Sequence, residues 1–124
     1  MTQDEFARAF GQAGAQQLNN ESALRYDSGK IRYDLLPADA LEALALVYTK
    51  GAEKYADRNW EKGMSWSRCF ASLMRHIWAF WRGELYDPET KCHHMAMAAW
   101  NCFALCSYSL RQIGNDDRPL GVPK

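Results

Sequence analysis

Residues 75–101 read RHIWAFWRGELYDPETKCHHMAMAAWN, and this stretch decides the fold. Its opening completes an apolar stripe of Phe70, Leu73, Met74, Ile77 and Trp81 at three- and four-residue steps, the spacing of one helix face. Gly83 stops that helix as a C-terminal glycine does. Glu84 to Thr90 forms a turn around Pro88, and a last long helix is expected over about residues 91–111. So short a connection makes the two helices antiparallel neighbours. His76 and His94 then face each other, with Glu84 and Asp87 over the same end.

Working outward, Ser65 or Ser67 is the expected N-cap of the first of these helices. Upstream, Pro37 opens another helix, in which Leu41, Leu44, Ala45, Tyr48, Ala52 and Tyr55 recur at helical spacing. Gly51 either interrupts it or admits a close backbone neighbour. Asp57 to Ser65 is a loop containing Trp60 and Gly63. Residues 4–18 carry Phe6, Ala9, Phe10 and Ala13, an amphipathic helix or a frayed arm. Tyr26-Asp27-Ser28-Gly29-Lys30 has turn chemistry. Gly114-Asn115-Asp116-Asp117 ends the last helix, and an extended tail follows. No strand pattern is present. The expected fold is all-α: a single domain of four to five helices, with an arm over 1–24, a core over 25–111 and a tail over 112–124.

The chain has 124 residues, room for one modest core. Fifteen basic residues balance fifteen acidic ones, so broad attraction to nucleic acid or to an anionic membrane is not expected. Cys69, Cys92, Cys102 and Cys106 form no CxxC knuckle; Cys102 and Cys106, one turn apart in an apolar run, read as buried free thiols. The polar Met1–Glu5 start and reduced thiols point to the cytoplasm. The abundant Trp and Met exceed what one small bundle hides, so a homo-oligomer, dimer or higher, is expected.

Adjacent helical residues point about 100° apart, so only one of His93 and His94 faces inward. His94 is favoured because Asn101 shares its face. Imidazole nitrogen and carboxylate oxygen together suit Mg²⁺, Mn²⁺ or Zn²⁺, and a mostly oxygen shell suits Mg²⁺ or Mn²⁺ beside a polyphosphate. The alternative is a pair of core histidines, each hydrogen-bonded to a carboxylate. Arg25, Lys30 and Arg32 surround one turn, Lys54 and Arg58 bracket Asn59-Trp60, and Arg68, Arg75 and Arg82 recur every seven residues. Trp78, Trp81 and Trp100 read as core or subunit interface.

Three motif groups occur in order: Arg25 to Pro37 (RYDSGKIRYDLLP); Gly51-Ala52-Glu53-Lys54-Tyr55 with Asn59-Trp60 and Gly63; and Arg75-His76, Gly83-Glu84, Asp87-Pro88-Glu89-Thr90, His94 and Ala98-Ala99-Trp100-Asn101. Together they resemble the phage and prophage family of dATP/dGTP diphosphohydrolase N-terminal domains, MazZ-like and related to the MazG-type pyrophosphohydrolases. The resemblance implies cleavage of a purine deoxynucleoside triphosphate to monophosphate and pyrophosphate, a divalent metal, and an oligomeric helical bundle that adjusts nucleotide pools during infection. His76, Glu84, Asp87 and His94 are the expected catalytic and metal-ligating residues. Lys30, Lys54 and Arg75 are expected on phosphate, and Asn59, Trp60 and Asn101 on base or sugar. The chain lacks the Glu-Glu-x-x-Glu helix of MazG-type enzymes. It also has Met97 where the family often has a second histidine. Both departures motivate an alternative: a non-catalytic protein that binds or sequesters a nucleotide or signalling nucleotide. An HD-type phosphohydrolase is rejected, because no His-Asp dipeptide exists here.

Overall fold

Proline has no amide hydrogen to lose at a helix start, and Pro37 marks the boundary of the first long helix. The computed structural model describes residues 22–119. Within them lie α1 (Ala38–Lys54), α2 (Trp66–Trp81) and α3 (His94–Arg111), with 3-10 turns at Tyr33–Leu35 and Asn59–Lys62. The fold is helical, and among the described residues β-pairing is limited to two isolated bridges. Three α-helices stand here against the four to five expected. The amphipathic segment over 4–18 lies outside the described residues.

The chain divides into two units, residues 1–36 and 37–124. In the first, Lys30 N–H donates to Asp27 O at 3.0 Å, closing the anticipated turn with Gly29 at φ +80°. Arg32 grips Asp34 through two hydrogen bonds of 2.7 and 2.6 Å. That guanidinium holds the Asp34 carboxyl down to about 2.

In the second unit α3 is the central helix, packing against both α1 and α2. It carries the buried His94, Ala96, Ala98, Asn101, Ala104 and Tyr108. Its alanines let the neighbouring helices approach closely. Cys69, Ala104 and Tyr108 form the innermost cluster, wrapped by Trp60, Met64, Trp66, Trp100, Leu105 and Ile113. The Tyr108 hydroxyl donates to Trp60 O at 2.6 Å, so the buried phenol is satisfied and ties the 3-10 turn to α3. Burial pushes that phenol up to about 12.

The N-terminal end of α2 is held from a distance in sequence. Ser65 occupies the N-cap position, but its side chain makes no cap hydrogen bond. Asp117 does that work instead, accepting from Ser67 N–H at 2.9 Å and Ser67 Oγ–H at 2.5 Å. A carboxylate there also complements the helix dipole. Trp66 N–H donates to Asn115 O, and Trp66 Nε1–H to Ile113 O.

α3 starts three residues later than the periodicity predicts. His93 is extended, bridges to Tyr86 and caps the helix itself, its Nδ1 accepting from Met95 N–H at 3.0 Å. Its ring lies between those of Phe80 and Tyr86. Gly51 does not interrupt α1, and space is open beside it. Cys102 and Cys106 are exposed, which corrects their expected burial: Asn101, Ala104 and Tyr108 take the inward face of α3. Trp78 and Trp81 are likewise exposed, whereas Trp100 packs against the core.

Candidate active site

Cations repeat every four residues over Lys50, Lys54, Arg58 and Lys62, which brings them to one side of the chain as α1 runs into the 3-10 turn. They line a cleft of about 990 Å³ together with Arg68 of α2. Asp57 is the one carboxylate in that lining. A chain with no net charge thus concentrates five cations in one concavity. Such focusing by low-dielectric walls attracts polyanions.

The cations differ in what already occupies them. Lys50 Nζ donates to Thr90 O, bracing α1 against the α2–α3 connection. Arg58 pairs with Glu61 at 2.6 Å, and Lys54 Nζ sits 5.3 Å over the Tyr55 ring. Lys62 and Arg68 make no ion pair among the described residues.

Aromatic rings build another part of the wall. Tyr48 contacts both Trp60 and Trp100, with centroids 6.2 and 5.9 Å away. Trp60 also packs on Tyr108, and the Arg111 guanidinium lies 5.5 Å over its ring. The indole is therefore set firmly in the cleft wall.

On α2 the cleft follows a four-residue row: Arg68, Ser72 and His76. His76 Nδ1 lies 3.0 Å from His94 Nδ1, and His94 Nε2 lies 2.6 Å from Glu84 Oε1. The antiparallel pairing expected from the short turn thus brings both imidazoles together. His94 is 3 % exposed, whereas Glu84 reaches solvent. A carboxylate accepts, so Nε2 of His94 donates to it. With one proton per ring, His94 Nδ1 then accepts from His76 Nδ1–H, and the lone pair of His76 is on Nε2. Burial, followed by the neighbouring His94, pushes the His76 imidazole below its ordinary value, while Asp87 opposes this.

Asp87 serves its own turn. Its Oδ2 accepts from Thr90 N–H and Thr90 Oγ1–H, both at 2.8 Å. Burial raises the Asp87 carboxyl, but those two hydrogen bonds and the nearby imidazoles outweigh it and hold the group below its usual range. Thus His94 is engaged on both nitrogens and Asp87 is turned toward Thr90. Among the described residues no three His, Cys, Asp or Glu side chains converge on a possible metal position. In this arrangement His76, His94 and Glu84 are joined in one hydrogen-bonded series, and Asp87 bonds Thr90.

Of the other expected contacts, Lys54, Asn59, Trp60 and Asn101 line the cleft. Arg75 is exposed outside it, and Lys30 belongs to the first unit. Asn101 is 4 % exposed. Its Nδ2 donates to Met97 O at 3.0 Å and to Ser72 Oγ at 3.2 Å. A carbonyl only accepts, which fixes the amide's orientation and leaves Oδ1 as an acceptor. Sequence reasoning missed Lys50, Lys62, Arg68 and Ser72 as lining residues. The four-residue cation repeat was the available signal for the first two.

The site is thus a helical hairpin presenting paired imidazoles beside a cationic, aromatic-walled cleft in an all-helical fold. The family model for dATP/dGTP diphosphohydrolase, N-terminal, matches residues 20–118, and the chain belongs to that family. A relative from Salmonella phage PMBT28, named dATP/dGTP diphosphohydrolase, is 31% identical over 78 residues. That alignment covers 63% of this chain and 27% of the relative, so the chain spans about a quarter of that protein's length. No solved structure matches.

Proposed function

We propose that the cleft binds a purine deoxynucleoside triphosphate, dATP or dGTP, and hydrolyses it to monophosphate and pyrophosphate during phage nucleotide-pool remodelling. The observation that carries this is the set of five cations around a cleft that also holds His76. The family and the name of the phage relative supply the nucleotide.

In the proposed reaction, His76 Nε2 takes a proton from water as the water oxygen attacks the α-phosphorus. The bond from that phosphorus to the bridging oxygen breaks, and the electron pair leaves with pyrophosphate. Lys54, Lys62 and Arg68 hold the charge that develops. His94 and Glu84 orient the base from behind, as the third member of a triad does. The Asn101 Oδ1 offers an acceptor to an N–H or O–H of base or sugar. The divalent cation belongs to the substrate, carried on its phosphates as Mg²⁺ or Mn²⁺.

Binding without hydrolysis is the second reading, favoured by the unconverged ligand set. Incubation of dATP and dGTP with Mg²⁺ or Mn²⁺, resolved by ion exchange, separates the two. The expected result is monophosphate and pyrophosphate in equal amounts. Nucleotide that binds tightly yet is recovered intact supports sequestration, and absence of binding overturns both.

A further inference from the structure

Ser72 stands midway along the α2 row that lines the cleft, one turn after Arg68 and one turn before His76. Facing it on α3, the Asn101 amide has both its hydrogens committed. Nδ2 donates to Met97 O at 3.0 Å and to Ser72 Oγ at 3.2 Å. Ser72 is therefore the acceptor in that pair, and its own O–H has no acceptor among the described residues. A helical hydroxyl often spends its hydrogen on the carbonyl four residues back. Thr49 does so, donating to Ala45 O at 2.8 Å, whereas Ser72 makes no such bond.

The oxygen of the same amide is its counterpart. Among the described residues no buried side-chain nitrogen or oxygen is left without a hydrogen-bond partner. Asn101 Oδ1 has no partner, so it keeps contact with solvent, and Asn101 is a lining residue of the cleft. A free donor and a free acceptor thus stand side by side where α2 and α3 meet. Phosphate oxygens only accept, so this pair does not suit them: Oδ1 would face lone pairs with its own. It suits a group that sets an N–H beside an acceptor.

The Watson–Crick edges of both purines have that pattern. Adenine sets its N6 amino group beside N1, and guanine sets its N1–H beside O6. On the other edge the two differ: adenine shows N7 and N6–H, whereas guanine shows only the acceptors N7 and O6. Resting on the nucleotide reading above, we infer that Ser72 and Asn101 hold the Watson–Crick edge of the purine, Asn101 Oδ1 accepting the base N–H and Ser72 O–H donating to the neighbouring N1 or O6. One pocket then takes dATP and dGTP alike, with no rearrangement of side chains. Trp60 and Trp100, both in the lining, supply flat apolar wall beside it. Ser72 is thereby a specificity-determining residue that touches the base and leaves the chemistry to His76.

Steady-state kinetics of the full chain with dATP, dGTP and their analogues is the test, with dissociation constants taking the place of KM where nucleotide is bound intact. Ser72→Ala should raise KM for both substrates roughly 3- to 10-fold, the size of one neutral hydrogen bond, with kcat held. Ser72→Thr, which keeps the hydroxyl, should restore it. On the wild type, the dATP analogue with hydrogen in place of the N6 amino group should lose a similar factor in KM. The 7-deaza and 2′,3′-dideoxy forms should match their parents. The analogue series needs no variant, so it decides the matter should Ser72→Ala unfold. An active wild type whose KM is unmoved by Ser72→Ala or by loss of the amino group overturns the inference and leaves the nucleotide reading standing. So does a penalty on the 7-deaza forms, which means the other edge is read, or on the dideoxy forms, which means the sugar is. A wild type that neither binds nor cleaves any purine triphosphate ends the nucleotide reading itself, and this inference with it.

Discussion

His76→Ala is expected to lower dGTP turnover by roughly 10²- to 10⁴-fold, the range for losing a general base. Binding should change by only a few-fold, because Lys54, Lys62 and Arg68 remain. The hydrogen-bonded order Glu84–His94–His76 makes a graded prediction for the series. His94→Ala should lose less than His76→Ala, since the base persists but is no longer held in one tautomer. Glu84→Gln should lose least, because the amide oxygen still accepts from His94. The pH dependence has a fixed sign. Burial and the adjacent ring depress the His76 imidazole, so its base form prevails at neutral pH and is lost as pH falls through a value below the ordinary 6.5. Turnover should therefore be flat near neutrality and fall on the acid side. Folding stability follows the same direction: the unfolded chain binds the proton more readily, so stability declines as pH drops below about 6.5. Steady-state kinetics on variants checked by circular dichroism read both effects.

Gly114→Ala has the largest expected effect on stability. At Gly114 a Cβ would lie 2.4 Å from Met64 O and 3.1 Å from Met64 N, both backbone atoms, with φ at +80°. Left-handed backbone costs a non-glycine residue about 1–2 kcal/mol, and overpacking adds about 1–3 kcal/mol. The seam it would part is the one that starts α2, where Trp66 N–H donates to Asn115 O, Asn115 N–H donates to Met64 O and Asp117 caps Ser67. A loss of about 2–5 kcal/mol in urea denaturation is expected, combining those two costs. Gly83→Ala is the matched control. Gly83 also has positive φ, at +106°, but nothing lies within 4 Å of its added Cβ. Only the backbone cost of about 1–2 kcal/mol applies there.

Much of this architecture was legible in the residues. Pro37, the apolar stripe through Trp81 and the stop at Gly83 located α1 and α2 because each follows from local backbone chemistry. The short acidic turn forced the antiparallel hairpin, and with it the meeting of His76 and His94. Other features depend on residues remote in sequence. Asp117 replaces Ser65 as the cap of α2, a partner fifty positions along the chain from Ser67 that no local pattern announces. Arg75 lies outside the cleft lining for a geometric reason. The cleft follows the four-residue row Arg68, Ser72, His76, whereas Arg75 lies about 100° around the helix from His76. That Asp87 accepts from the Thr90 amide and hydroxyl follows from its place before Pro-Glu-Thr, a turn in which an Asp bonds its own main chain. Cys102 and Cys106 share an apolar run with the core, but their helical phase turns them outward.

Hydrolysis of dGTP in ¹⁸O-labelled water, followed by phosphorus NMR, bears most directly on the cleft as a site of water attack at the α-phosphorus. The expected result is ¹⁸O incorporated into dGMP, with unlabelled pyrophosphate released. Label in pyrophosphate or orthophosphate, or dGTP that stays intact while bound, would contradict it.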